Sequence, residues 1–422
     1  MVIELNRWTS WLFIWLLCGT VTAGLMLFFP VADLIGLIIL ILEALLILLL
    51  AVKQSTIGKT LIVAFLLRAI AALVHYYIIP LPDSQADARS FERLAAEWAE
   101  YGFVNLLHQF RTGSELYPWL IAVIYSIVGR SPLTAQAINV LFGSLIVRNT
   151  YLLAKQFWDN RVATRAAWIA TLFPTLILYS AITLREVAVV FPLTLGVLYF
   201  LWWLHKERPI DLVKAFIACG IATAFHTGIV VVILIMALTT FSRWLRALCA
   251  VHPKLTLTRS FALCLLVLSI YIIFISGWGL EKLGGFKVST AVDWLANLQR
   301  NYAIGRAAYL QHLQPRSVFD LIWQTPIRIT YFLFMPFPWF VRTWVDLLGV
   351  TISACNLLLT ILILRSFPKI WATYERRWGL YTLLALLGTF ALATSNYGTS
   401  IRHSSKLVPL ALALAKIPKV RI

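Results

Sequence analysis

The chain has 422 residues, 61% of them hydrophobic and only 13% charged, against about 45–50% apolar and about 25% charged in soluble globular proteins. Its 36 Lys and Arg outnumber its 18 Asp and Glu, for a formal net charge of +18. Apolar runs near the bilayer-crossing length of about 20 residues recur along the sequence, which excludes a soluble fold and equally an open sheet, whose edges would find no partner in hydrocarbon.

The expected fold is all-α: a polytopic integral membrane protein with one membrane domain over 1–422 and about twelve transmembrane helices. In chain order the predicted spans are 11–29, 32–51, 60–80, 134–154, 166–182, 187–204, 212–226, 227–242, 260–277, 341–364, 378–394 and 404–416. The first resembles a signal peptide just after Arg7, but the apolar run continues to about Phe29 and another follows at once, so a retained span is expected. With the N-terminus in the cytoplasm, the inner loops hold Lys53 and Lys59, then Lys155, Arg161 and Arg165, then Lys206, Arg208 and Lys214. They continue with Arg243, Arg246, Lys254 and Arg259, with Arg365, Lys369, Arg376 and Arg377, and with Lys416, Lys419 and Arg421. This is the positive-inside pattern; it places both termini in the cytoplasm of an inner (plasma) membrane protein and argues against a nucleic-acid partner. Cys18, Cys219, Cys249, Cys264 and Cys355 show no C-x-x-C spacing, so neither a disulfide framework nor a structural zinc site is expected.

Two long segments fall on the outer side, 81–133 and 278–340. The first opens with PDSQADARSFERLAAEWAEYG, where five of the chain's few acids gather: Asp83, Asp87, Glu92, Glu97 and Glu100. Phe91, Leu94, Ala95 and Trp98 share one helical face there, which predicts an interfacial helix. The apolar run 116–129, LYPWLIAVIYSIVG, is too short to span and reads as interfacial or re-entrant. GWGLEKLGG at 277–285 follows a span rather than a strand and is no nucleotide loop.

Asp83 and Asp87, four apart, share one helical face at the outer mouth of the third span. A carboxylate there could act as general base on a sugar hydroxyl, or the two could simply complement the first turn of a helix. The outer-side cations run against the positive-inside trend: Arg89 and Arg93 after the acidic pair, Arg185 beside Glu186, and Arg402, His403 and Lys406 in NYGTSIRHSSKL. Guanidinium forks suit phosphate oxygens, with lipid head groups or ion pairing as the plainer reading. Glu186 and Tyr117, the latter at the start of the 116–129 run, complete the substrate-binding candidates. His75, His226 and His403 have no metal-ligand spacing. No metal site and no cofactor are indicated, a divalent cation being left open. Glu43 and Arg68, at equal depth on adjacent predicted spans, are expected to pair inside the membrane.

The order of PDSQADARSFERLA, LYPWLIAVIYSIVG and AQAINVLFGSLIVRNTYLLAKQFWDNRVATRAAWIATLFPTLILYSAITLRE resembles the GT-C superfamily of lipid-linked glycosyltransferases, of the protein mannosyltransferase and aminoarabinose transferase type. The resemblance covers about the first half of the chain. It implies a first outer loop with an essential Asp, matched by Asp83 or Asp87, and a polyprenyl phosphate or pyrophosphate sugar as donor. It also implies a glycan or lipid acceptor on the outer face. Where many members carry Pro-Asp after LFPTLILYS, this chain has Arg185–Glu186. GTSIRHSSKLVP is similar to bacterial polysaccharide polymerases, so an O-antigen or exopolysaccharide polymerase is the alternative; a transporter or flippase of lipid-linked sugars is the reading from another class. The expected activity is membrane sugar transfer by inverting displacement, in polysaccharide biosynthesis of the cell envelope, with membrane lipids around the protein.

Overall fold

The computed structural model describes residues 31–249 and 288–418, and their regular structure is entirely helical. The predicted spans 11–29 and 260–277, the 277–285 glycine pattern, Cys18 and Cys264 lie outside the described residues. In chain order the helices are α1 (Val31–Lys53), α2 (Ser55–Tyr77), α3 (Ala86–Ala99), α4 (Gly102–His108), α5 (Leu116–Val128) and α6 (Pro132–Phe157). Then come α7 (Asn160–Leu172), α8 (Pro174–Ala181), α9 (Glu186–Lys206), α10 (Pro209–Phe225) and α11 (Val230–Cys249). The chain continues with α12 (Val288–Tyr302), α13 (Val318–Phe334), α14 (Trp344–Trp371), α15 (Tyr374–Ala393), α16 (Tyr397–Ser405) and α17 (Val408–Leu414).

Among the described residues six helical segments are long and apolar enough to cross a membrane, and the bent pair α7–α8 makes a seventh if it counts as one span. The expected spans 212–226 and 378–394 form helices, α10 and α15, that are not among these six, and two further expected spans take a different form. Segment 166–182 is broken and bent by 53° between α7 and α8, because Pro174 has no amide hydrogen to donate and holds Phe173 in an extended conformation. Segment 404–416 is no continuous span: it divides between the end of α16 and the seven-residue α17, which Pro409 starts. Among the described residues Cys219 and Cys355 are free thiols.

The break between α7 and α8 explains Arg68. The expected Glu43–Arg68 pair does not form. Arg68 is fully buried and donates to the carbonyls of Ala64 at 3.0 Å, Ala170 at 3.2 Å and Thr171 at 3.4 Å. The last two are carbonyls that the end of α7 leaves without helical partners, so the guanidinium is discharged on backbone and needs no carboxylate. Glu43 is buried on α1 with one carboxylate oxygen unbonded. At Gly143 of α6 a Cβ would come within 1.9 Å of Ser180 Oγ on α8, so glycine is what lets α8 dock against α6.

The segment 81–131 leaves the end of α2 and returns to the same end of the bundle: His75 and Tyr76 of α2 and Pro132 and Gln136 of α6 line one groove. α5, with 13 residues, is about 20 Å long, short of the roughly 30 Å hydrocarbon core. α3 has the amphipathic face expected of it, but Ala95, Ala96 and Trp98 are buried, and the Phe91 ring meets Tyr117 of α5 edge-on at 5.9 Å. That face covers α5 instead of lying on lipid. The exposed apolar surface of this segment lies on α4, through Phe103, Val104 and Leu107, and on α5, through Leu120 and Ile127.

Candidate functional site

Asp83 stands in a short, stiff connection. Pro80 and Pro82 restrict the chain after α2, and the Leu81 amide donates to His75 Nδ1 at 3.1 Å. Asp83 itself has φ 64, a left-handed conformation that few residues other than Gly, Asn and Asp tolerate. Such strain collects at functional sites. Arg402 arrives from the other end of the sequence, on α16. Its Nε donates to Asp83 Oδ2 and its second terminal nitrogen to Asp83 Oδ1, both at 2.6 Å. The remaining terminal nitrogen bonds Asp87 Oδ2. One guanidinium thus joins the two predicted carboxylates, with Asp83 and Arg402 half-buried and Asp87 exposed.

Tyr179 of α8 is buried beside Asp83. Burial pushes the Asp83 carboxyl up from its ordinary range, against the pull of Arg402. For Arg402 burial works downward, but the bonds and charges of Asp83, then Glu186 and Asp87, outweigh it and hold the guanidinium firmly protonated.

A buried charge pair lies beside this group. Glu186 opens α9, where its charge complements the helix dipole, and Lys406 Nζ reaches its Oε1 at 3.5 Å. Lys406 Nζ is also 2.8 Å from His403 Nδ1. The His403 ring stacks on Phe390 and meets His226 edge-on, with centroids 5.0 Å apart in both cases. Burial, then the charge of Lys406, push His403 well below its ordinary value, so its ring is neutral. Arg185 donates to Phe225 O at 2.7 Å, the last carbonyl of α10. Burial lowers its pKa while Glu186 raises it.

The structure therefore brings Asp83, Asp87, Arg185, Glu186, Arg402, His403 and Lys406 to one end of the bundle. Three predicted residues sit differently. Tyr117 is buried in the core, its hydroxyl accepting from Asn139 Nδ2 at 2.8 Å. Arg93 is exposed on α3 and faces Glu97 at 3.7 Å. Arg89 lines the groove beside His75 and has no ion-pair partner among the described residues. No group of three His, Cys, Asp or Glu side chains among the described residues could hold a metal ion.

The support of Arg402 was not read from the sequence. Residues 307–309 run beside 395–397: Tyr309 N donates to Ser395 O and Tyr397 N to Ala307 O, both at 2.9 Å. Tyr309 and Ser400 bond through their hydroxyls at 2.7 Å. Tyr397 donates to Asp346 Oδ1 at 2.8 Å, while Arg306 clamps the same carboxylate at 2.7 and 2.9 Å. Asp346 also closes a capping box with Thr343 at the start of α14. The T-x-x-D spacing of Thr343 and Asp346 was the one local signal available; Arg306 and Tyr397 carry none.

A family model described as dolichyl-phosphate-mannose-protein mannosyltransferase matches residues 114–272. The match takes in Arg185 and Glu186 but neither Asp83 nor Arg402. The GT-C glycosyltransferase resemblance read from the sequence is borne out, since the matched family is a member of that superfamily. No curated protein matches the chain. Among solved structures, the crystal structure of the Archaeoglobus fulgidus oligosaccharyltransferase in the apo form is similar, with a TM-score of 0.45 and 14% sequence identity over 84% of this chain. The present chain spans 50% of that protein's length.

Proposed function

We propose that the protein is a membrane glycosyltransferase that moves a sugar from a polyprenyl phosphate or pyrophosphate donor to a hydroxyl of a glycan or lipid acceptor, with Asp83 as base. The observation that carries this reading is the sharing of Arg402 between Asp83 and Asp87 at one end of a helical membrane bundle. Direct transfer at an anomeric carbon needs a proton acceptor on one side and positive charge on the departing phosphate at the other. Asp83 and Arg402 supply both groups within one contact.

The step balances as a single displacement. The Asp83 carboxylate takes the proton of the acceptor hydroxyl, whose oxygen bonds the anomeric carbon. The bond from that carbon to the phosphate oxygen breaks, and its electron pair stays on the phosphate, so the anomeric centre inverts. Arg402 turns from the carboxylates to the donor phosphate, which frees Asp83 to accept the proton, and Arg185 adds charge from the start of α9. Burial favours Asp83 over the exposed Asp87, because a raised pKa makes a carboxylate a better base near neutral pH.

The site is proposed to face the outer side of the inner membrane, with both termini in the cytoplasm. The basic residues Arg243 and Arg376 lie at the other end of the bundle, as the positive-inside trend asks. The test is to incubate the full chain in nanodiscs with polyprenyl phosphate mannose and polyprenyl pyrophosphate-linked sugar. The expected result is consumption of a lipid-linked donor with inversion at the anomeric carbon. Consumption of nucleotide sugars alone, or a retained anomer, would refute the reading.

A further inference from the structure

Next to Asp83, but on a different set of side chains, runs the open groove of about 580 Å³ between the end of α2, the start of α3 and the start of α6. Its polar equipment is one-sided. Glu92 is the only carboxylate lining it, and Arg130 already holds Glu92 with two bonds, at 2.9 and 2.8 Å. What remains is mostly donors. Arg89 has no ion-pair partner among the described residues. His75 accepts the Leu81 amide through Nδ1, so its neutral ring carries the proton on Nε2. The first turn of α3 lines the same groove, and no side chain caps its amides.

Two further groups are buried and unbonded. Ser84 is 3% exposed and Gln136 is 4% exposed. Ser84 Oγ and Gln136 Oε1 have no hydrogen-bond partner. A buried polar atom left unpaired is destabilising, and a ligand that bonds it relieves that cost. Spare guanidinium charge, an uncapped helix start and a buried, unsatisfied hydroxyl are together the equipment for an oxyanion.

We infer that this groove binds the acceptor through an acidic group, a carboxylate or phosphate carried by a sugar, held by Arg89, Ser84 and the start of α3. The word acceptor rests on the glycosyltransferase reading above; the oxyanion site does not. Ser84 follows Asp83 directly in sequence, so an acid seated there would bring a neighbouring hydroxyl toward the base.

The test titrates the full chain, in phosphatidylcholine nanodiscs, with glucose, glucuronate and glucose 6-phosphate, with binding read by saturation-transfer NMR. Both acids are expected to bind about tenfold or more tightly than glucose, the gain of one charge-assisted hydrogen bond. Arg89→Gln should remove most of that preference. Ser84→Ala, which removes a single buried hydroxyl, should reduce it separately. Equal binding of all three sugars, or a preference untouched in both variants, overturns the proposal. Asp83→Asn should keep the preference while losing turnover, so a failed groove and a failed base give different results. In phosphatidylglycerol nanodiscs the preference should persist; its disappearance there would assign the groove to a lipid head group and overturn the acceptor assignment.

Discussion

The two ends of the bundle use their cations differently. At the end opposite Asp83, Arg376 and Arg243 serve helix C-termini and aromatic faces, with one longer contact to a carboxylate. Arg376 donates to Phe157 O at 2.8 Å and to Lys369 O at 2.9 Å, and its guanidinium lies 4.0 Å from the centre of the Trp158 ring. Arg243 donates to Leu204 O at 3.1 Å over the Trp203 ring and lies 3.7 Å from Glu207 Oε1. These contacts satisfy carbonyls that helix ends leave open and anchor neighbouring segments. At the Asp83 end Arg402 meets Asp83 and Asp87 at close range and Lys406 meets Glu186, while Arg185 serves the end of α10. One of those carboxylates is held in a left-handed backbone conformation. Carbonyl and ring contacts fasten helices; the half-buried pairing of Arg402 with a strained Asp83 is suited to exchange partners with a substrate.

Substitutions at the two ends should therefore separate catalysis from anchoring. The largest effect is expected for Asp83→Asn, which keeps size and loses the base: turnover of a lipid-linked donor should fall by about 10²–10⁴-fold, with a smaller fall for Asp87→Asn. Full turnover in Asp83→Asn would remove Asp83 from the chemistry. Next comes the buried pair. Lys406→Met leaves Glu186 unpaired and should cost about 3–5 kcal/mol of stability, seen as a lower Tm, with partial recovery when Glu186→Gln is added. A Tm unmoved by the single change would mean that the pair contributes nothing. Arg402→Ala should lower donor kcat/KM by about 10- to 100-fold, the value of a charged hydrogen bond, and Lys should restore only part because the planar fork is lost. Complete restoration by Lys would reduce Arg402 to a point charge. The smallest effect belongs to the opposite end: Arg376→Gln should cost about 0.5–1 kcal/mol of stability and leave turnover unchanged. A loss of turnover there would dissolve the contrast between the two ends.

The all-helical membrane fold was legible because apolar runs and basic loops are local signals. So were Asp83, Asp87, Arg185 and Arg402 as individual candidates, because charge at the ends of apolar spans stands out against its surroundings. Their meeting was not legible: Arg402 and Asp83 are 319 positions apart, and nothing in either segment names the other. The Glu43–Arg68 expectation failed for an instructive reason. Matching depth suggested a carboxylate partner, but the break at Pro174 exposes carbonyls that serve Arg68 equally well. Pro174 was visible inside the predicted span 166–182 and was the available clue to that break. Segment 404–416 runs from Lys406 beside Glu186 to Ala413 beside Trp158, but its helix is interrupted between α16 and the seven-residue α17, which hydropathy alone does not show.

The central claim is that Asp83 is the base and that burial, opposed by Arg402, sets its proton affinity. A base works only when deprotonated, so kcat/KM should fall as pH drops through the pKa of Asp83, which burial places above the ordinary carboxylate range. Arg402 lowers that pKa, so Arg402→Gln should move the acid limb to higher pH on top of its loss of rate. The measurement is the pH dependence of donor kcat/KM for the wild type, Arg402→Gln and Asp83→Asn in the same nanodiscs. The account predicts an acid limb in the wild type, its upward displacement in Arg402→Gln and its loss in Asp83→Asn. A limb that stays in place in both variants would contradict it.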